Sequence, residues 1–317
     1  MHPAFSVILF TVTSGAGYGL IALLSFFNFI HHGIFISKDL FLIFSVVSIG
    51  IFSFGLISST FHLANPKNAW RAFMRFRTSW LAREGLLAIL FYPLLLTYLY
   101  LIYQDTYINN FLFMQFYSFL IFIFSVFIIF CTGMIYACLK TIPQWNTILT
   151  PINYILIGLY LGFLLILFLL SIKSYDINNY KFSILCLISF SFIMKSIYYY
   201  KITPARHNIS DATNAAIKIK NSSVRLLDVG HTGGTFLTDE FGFFVAEKKL
   251  KIIKFFSIFF GFIAPIMLIS LYYLLYNDIL VIFLALLVSF IGIIAERWLF
   301  FAQAKHVVNL YHGSQTV

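Results

Sequence analysis

Eight stretches of this chain are each long and apolar enough to cross a lipid bilayer, and they constrain its fold more than any other feature. A hydrocarbon core about 30 Å thick takes roughly 20 apolar residues in α-helix. The runs near 7–28, 40–63, 82–103, 111–138, 153–172, 182–200, 252–275 and 279–300 meet that length. Only 10% of the 317 residues are charged and 61% are apolar, a balance foreign to soluble globular domains. The expectation is an all-α integral membrane protein, an eight-transmembrane-helix bundle forming one polytopic domain over residues 1–317. The first run lacks a basic leader and a small-residue cleavage site, so it is expected to stay as the first span.

Eight spans put both termini and the second, fourth and sixth connections on one side. That side receives 18 of the 21 lysines and arginines; Lys38, Lys173 and Lys181 fall on the other. The positive-inside rule therefore places both termini in the cytoplasm. The net charge of +10 follows from topology and needs no nucleic acid to explain it. The longest polar connection, about 201–251, is rich enough in apolar residues to fold. Gly230, Gly233 and Gly234 around His231 predict a tight turn before a short helix. Two readings stay open for it: a docking surface for a cytoplasmic partner, or a cover over helix ends.

All eight histidines fall at termini, in connections or at span ends. A transmembrane haem draws axial histidines from inside facing helices, so no haem is expected. No acid or base lies near the centre of a span, which argues against a proton-coupled transporter. Cys131, Cys138 and Cys186 sit in apolar runs without C-x-x-C spacing. They read as small buried hydrophobes, with no metal site and no iron–sulfur cluster held by this chain alone. In the first run, Gly15, Gly17 and Gly19 of SGAGYG allow a neighbouring helix or a flat ligand to approach closely, helix packing being the plainer use.

Between the second and third runs lies SSTFHLANPKNAWRAFMRFRTSWLAREG, residues 58–85, with one histidine, four arginines and one acid. Asn65 followed by Pro66 predicts a helix start. At α-helical spacing Trp70, Phe73 and Met74 share one side and Lys67, Arg71 and Arg75 another, the layout of a helix lying in a membrane interface. His62 and Glu84 close one span and open the next on the same face. An imidazole that donates, accepts and titrates near neutrality, beside a partly desolvated carboxyl, suits the head group of a quinone, which needs a hydrogen-bond donor and protons. The plainer readings are an interface histidine and a first-turn acid that complements the helix dipole or pairs with Arg77 or Arg83. For the arginines the alternatives are partner docking and lipid phosphates.

The run FHLANPKNAWRAFMRFRTSWLAREG resembles the membrane-anchor subunits of the dimethyl sulfoxide reductase (DmsC) family, with their His-Leu-x-x-Pro-x-x-Ala segment and a Glu opening the next helix. IPQWNTILTP, at 142–151, is similar to that family's Pro-x-Trp-x-x-x-x-Thr-Pro connection. VRLLDVGHTGGTFLTDEFGFFVAEKK, at 224–249, and the N-terminal MHPAFSVILFTVTSGAGYG are similar to the SoeC-type branch, which includes anchors of sulfite-oxidising enzymes. The resemblance implies an eight-helix anchor in the inner membrane of a bacterium. It would bind a four-cluster iron–sulfur subunit and, through it, a molybdopterin catalytic subunit. The iron–sulfur clusters and molybdopterin would sit in those partners only. The anchor would exchange electrons with ubiquinone or menaquinone, His62 and Glu84 forming the quinone site. Arg71, Arg75, Arg77, Arg83 and His231 would be partner or lipid contacts. The cytoplasmic placement favours sulfite oxidation; a quinol-oxidising dimethyl sulfoxide reductase anchor and a purely structural anchor are the alternatives.

Overall fold

The computed structural model describes residues 3–31, 36–61, 65–202, 214, 218–219, 222, 243, 245–274 and 279–312. Eight helices among them have the length and hydropathy of a membrane span. They are α1 (Phe5–Ile30), α2 (Lys38–Thr60), α3 (Trp80–Tyr103), α4 (Phe111–Ala137), α5 (Leu149–Ile172), α6 (Lys181–Ile202), α7 (Glu247–Leu274) and α8 (Ile279–Ala302). The sequence boundaries hold to within a few residues. The largest difference is at α7, which begins at Glu247 because EKKLK continues the helix beyond the apolar run.

α1 and α5 are the most buried spans; α2, α4, α6 and α8 pack on one or both of them, and α3 and α7 pack outside, on α4 and α8. The halves repeat one pattern that their letters do not show. In each, the first helix packs on the second and fourth, and the third packs on the fourth. The α1–α5 contact depends on glycine. A Cβ added to Gly19 would lie 2.0 Å from the carbonyl oxygen of Gly158, and one on Gly162 would lie 2.3 Å from the Gly19 backbone. Between lipid-facing helices, association comes from such van der Waals closeness, because lipid is as apolar as leucine. Gly17 serves α2 in the same way, with the Phe52 backbone 2.7 Å from where its Cβ would be. The SGAGYG run is thus used for helix packing.

α7 is wound as π-helix over Phe259–Ile263. Such a turn leaves carbonyls out of the i−4 ladder. The hydroxyl of Tyr160 on α5 donates to the carbonyl of Gly261 at 2.7 Å. Gly261 also meets Gly292 of α8 closely, which draws α7 against α8.

The 142–151 connection ties the α4–α5 turn to the end of α8. Trp145 Nε1 donates to the carbonyl of Phe300 at 3.0 Å, and its ring stacks on that of Phe300. Gln144 accepts from the Lys305 amide and from the Tyr198 hydroxyl, through its side chain and its carbonyl respectively. Pro151 lies against Gly133. Of the cysteines, Cys131 is buried as expected; Cys138 and Cys186 are exposed, because Cys186 faces outward from α6 and Cys138 follows the last turn of α4.

Candidate functional site

Ser79 caps α3, its hydroxyl accepting from the Ala82 amide, and so sets where the helix begins. Glu84 is the fifth residue of that helix, past the first turn, and points inward, 4% exposed. Its carboxylate accepts a hydrogen bond from the Thr132 hydroxyl on α4, which also faces the Ile128 carbonyl at 3.1 Å. Among the described residues Glu84 makes no ion pair. Arg83, next to it, is spent on the chain itself. Its Nε donates to the Phe76 carbonyl at 3.0 Å and its Nη2 to the Arg77 carbonyl at 2.7 Å, with the guanidinium over the Trp80 ring. The two neighbours part ways. The acid enters the bundle and the base closes the turn outside it.

Within electrostatic range of Glu84, α1 contributes Tyr18. Its ring stacks on Phe52 at 4.6 Å and meets Phe91 edge-on at 5.5 Å. Its hydroxyl is buried with no hydrogen-bond partner among the described residues, although the Glu84 charge reaches it electrostatically. A buried unpaired hydroxyl costs about 1–3 kcal/mol, so an uncompensated phenol in the field of a buried carboxyl is a group that can receive a polar partner. Sequence reasoning read the glycines on either side of Tyr18 and passed over the tyrosine between them.

His62, the other predicted member of this site, lies outside the described residues, as does His231. The segment Pro66–Arg75 is helical as expected but wound as 3-10 helix, with three residues per turn, and Asn65 forms no side-chain cap. The changed period rearranges the faces: Trp70, Phe73 and Phe76 fall in one row, and Arg71, Met74 and Arg77 in the next. Arg71, Arg75 and Arg77 are exposed, and Phe73 rests against Gly85, so the segment lies over the start of α3.

A second ionic group was not anticipated. Lys195 on α6 and Arg297 on α8 were counted from sequence among the basic residues of one side, and Glu296 on α8 was not read at all. All three are buried, at 2%, 0% and 2% exposure. Lys195 Nζ pairs with Glu296 Oε1, and Arg297 Nε lies 2.7 Å from Glu296 Oε2. Arg297 also sits over the Tyr154 ring, and Lys195 over the rings of Tyr198 and Tyr199. Taking Lys195 and Arg297 out of the charge count leaves the sided excess of basic residues intact. The only legible signal was one acid next to one base in an otherwise apolar run, a costly placement in lipid unless paired.

A cavity of about 770 Å³ lined by Ser171, Asp176, Asn178 and Tyr272 opens at the opposite end of the bundle and contains none of the motif residues.

A family model described as "DMSO reductase anchor subunit (DmsC)" matches residues 1–303. The chain is 30% identical over 328 aligned positions, covering 99% of each sequence, to a subunit of the sulfite dehydrogenase of Allochromatium vinosum.

Proposed function

Because the chain belongs to the DMSO reductase anchor subunit (DmsC) family, we propose that the region around Glu84 is where a membrane quinone exchanges electrons with the iron–sulfur partner of a molybdoenzyme complex. As a member of that family it is a multi-pass membrane anchor with iron–sulfur and catalytic partner subunits. The reaction read for the complex is sulfite oxidation, supported by the similarity to a sulfite dehydrogenase subunit along almost the whole chain. Sulfite and water give sulfate, two protons and two electrons; a quinone takes up two of each to become a quinol.

The observation that carries the reading is a buried Glu84 carboxyl without an ion pair, within electrostatic range of the buried, unpartnered Tyr18 hydroxyl. A quinone supplies a two-electron carrier whose ring has two carbonyl oxygens. The Tyr18 hydroxyl is free to donate to such an oxygen, and its ring is held by Phe52, on which it stacks, and by Phe91, which it meets edge-on. Glu84 holds or releases a proton on the same side, with Thr132 fixing its orientation. His62 joins the site by its place in the family motif. Both termini, the 66–75 segment and the large connection face the cytoplasm of a bacterial inner membrane in this reading, supported by the basic excess on that side. The exposed Arg71, Arg75 and Arg77 there meet the iron–sulfur partner or lipid phosphates.

The test compares sulfite-dependent quinone reduction with reduction of a soluble artificial acceptor, in membranes carrying the whole complex. In His62→Ala and Glu84→Gln, quinone reduction falls at matched assembly and artificial-acceptor activity stays. Unchanged quinone reduction in both variants would move the site elsewhere. A wild-type complex that ignores sulfite and oxidises quinol with dimethyl sulfoxide would reverse the direction of flow through the same residues.

A further inference from the structure

The Lys195–Glu296–Arg297 group holds more polar capacity than the protein satisfies. Both amide atoms of Asn153 and the Nη1 of Arg297 are buried without a hydrogen-bond partner among the described residues. Helix register brings them to one level. Ser191 of α6 donates to the Leu156 carbonyl of α5, so on these antiparallel neighbours Lys195, one turn beyond Ser191, lies opposite residues 152–153. Arg297 covers Tyr154, the residue after Asn153. Asn153 therefore lies at the level of the ionic group, on the face of α5 that Tyr160 turns to α7 two turns later. Buried donors and acceptors left open together, at a charged site, are the condition under which internal waters are held.

From there a line of hydroxyls leads to the Glu84 site. Tyr154 stacks on Tyr136 at 5.7 Å, and Tyr136 is one turn from Thr132, which bonds Glu84. Tyr154 feels the charges of both Glu84 and Glu296. At the other end, Lys254 of α7 is half-buried over the Tyr199 ring at 4.5 Å and reaches the outside. The groups facing Glu296 are Lys195, Tyr198 and Tyr199 from α6, Tyr154 and Tyr160 from α5, and Arg297 on its own helix. Thr132 bonds Glu84, and Tyr18, Cys131, Tyr136 and Tyr154 lie within electrostatic range of it, with Arg83 next in sequence.

We propose that Asn153, Arg297 and the Lys195–Glu296 pair hold a chain of internal waters that relays protons through Tyr154 and Tyr136 to Glu84. The relay rests on the quinone reading of the Glu84 site. It moves protons only: each group that passes one on is reprotonated from the next, and the Lys254 end draws on bulk water. Two protons pass for each quinone that takes two electrons from the iron–sulfur partner.

The experiment uses the whole complex in proteoliposomes. Asn153→Leu replaces an unpartnered amide by an apolar group of like size, a change that is neutral or stabilising if the amide has only a structural role. Expected is a fall in quinone-linked turnover of at least about tenfold, a larger solvent deuterium isotope effect, and unchanged artificial-acceptor activity. If the leucine variant does not assemble, Asn153→Ala against Asn153→Ser makes the same comparison, serine keeping a hydroxyl for a water and hence the faster rate. Wild-type turnover and isotope effect in these variants, with Glu84→Gln inactive towards quinone, overturn the relay and leave the quinone site standing. Wild-type quinone turnover in Glu84→Gln removes the quinone site and the relay with it.

Discussion

Arg297 lies over the ring of Tyr154, its Cζ 3.9 Å from the ring centroid, while its Nε holds Glu296 at 2.7 Å. Tyr154 stands on α5 while Arg297 and Glu296 are neighbours on α8, so the guanidinium joins the two helices through the π face and is neutralised by a carboxylate of its own helix. Pairing of this kind is what makes charge tolerable inside a spanning bundle.

The ionic group has one acid between two bases, so its members are not equivalent. Glu296→Gln leaves two buried cations without a counter-charge and is expected to cost about 3–5 kcal/mol. Lys195→Met leaves the Glu296–Arg297 pair intact and is expected to cost less. Thermal unfolding of the detergent-solubilised complex, read at α8, gives the order; a larger loss in Lys195→Met contradicts it.

At Gly19, alanine places a methyl carbon 2.0 Å from the Gly158 oxygen. The clash is with backbone, which side-chain rotation cannot relieve. Gly19→Ala is expected to destabilise the bundle by about 1–3 kcal/mol or more, seen as reduced complex yield and a lower Tm. Gly50→Ala, where a Cβ meets nothing within 4 Å, is the control and is expected to be silent.

Thr132→Val keeps the shape beside Glu84 and removes the donor. A buried carboxyl deprived of its hydrogen bond loses about 1–3 kcal/mol. The expected result is a several-fold lower quinone-linked turnover with artificial-acceptor activity unchanged. Equal quinone turnover in wild type and Thr132→Val would mean that Glu84 needs no orienting partner.

His306 titrates outside the spans. Burial holds its pKa below the usual histidine value, and its Nδ1 accepts from the Val308 amide at 3.0 Å. A base with a depressed folded pKa lends stability above its unfolded pKa of about 6.5 and loses it as pH falls through the folded value. Protonation also turns the Nδ1 acceptor into a donor. Protection of the Val308 amide, measured against its intrinsic exchange rate at each pH, is therefore expected to fall as His306 is protonated below about pH 6.5, and this change is absent in His306→Gln.

The spans and the use of SGAGYG for packing were legible because bilayer thickness and backbone approach write directly into composition. Glu84 was legible as a motif position. Its partner was not, since Thr132 is one hydroxyl in a long apolar helix and sits 48 residues away. Lys195 and Arg297 were misread because a charge near a span end looks the same whether it reaches for water or turns inward; only the meeting of α6 with α8 distinguishes the two. The 3-10 winding of 66–75 was hidden for a related reason, as propensity marks a helix start but does not fix the turn size. The repeat of packing between the halves was invisible because it resides in which helices touch.

The glycine crossing of α1 and α5 has a consequence for biogenesis. During translation α1 leaves the ribosome on the order of ten seconds before the turn carrying Gly158 and Gly162 exists. Through that interval the face carrying Gly15 and Gly19 has only lipid or the insertion machinery against it, while α2, against Gly17, and α4 arrive on its other sides. The first four helices thus wait as an open groove, and Tyr136 of α4 acquires its stacking partner Tyr154 only when the fifth span enters. Half-chains divided in the 138–148 connection and expressed together should find one another through that groove, whereas the first half alone should be cleared by membrane proteolysis.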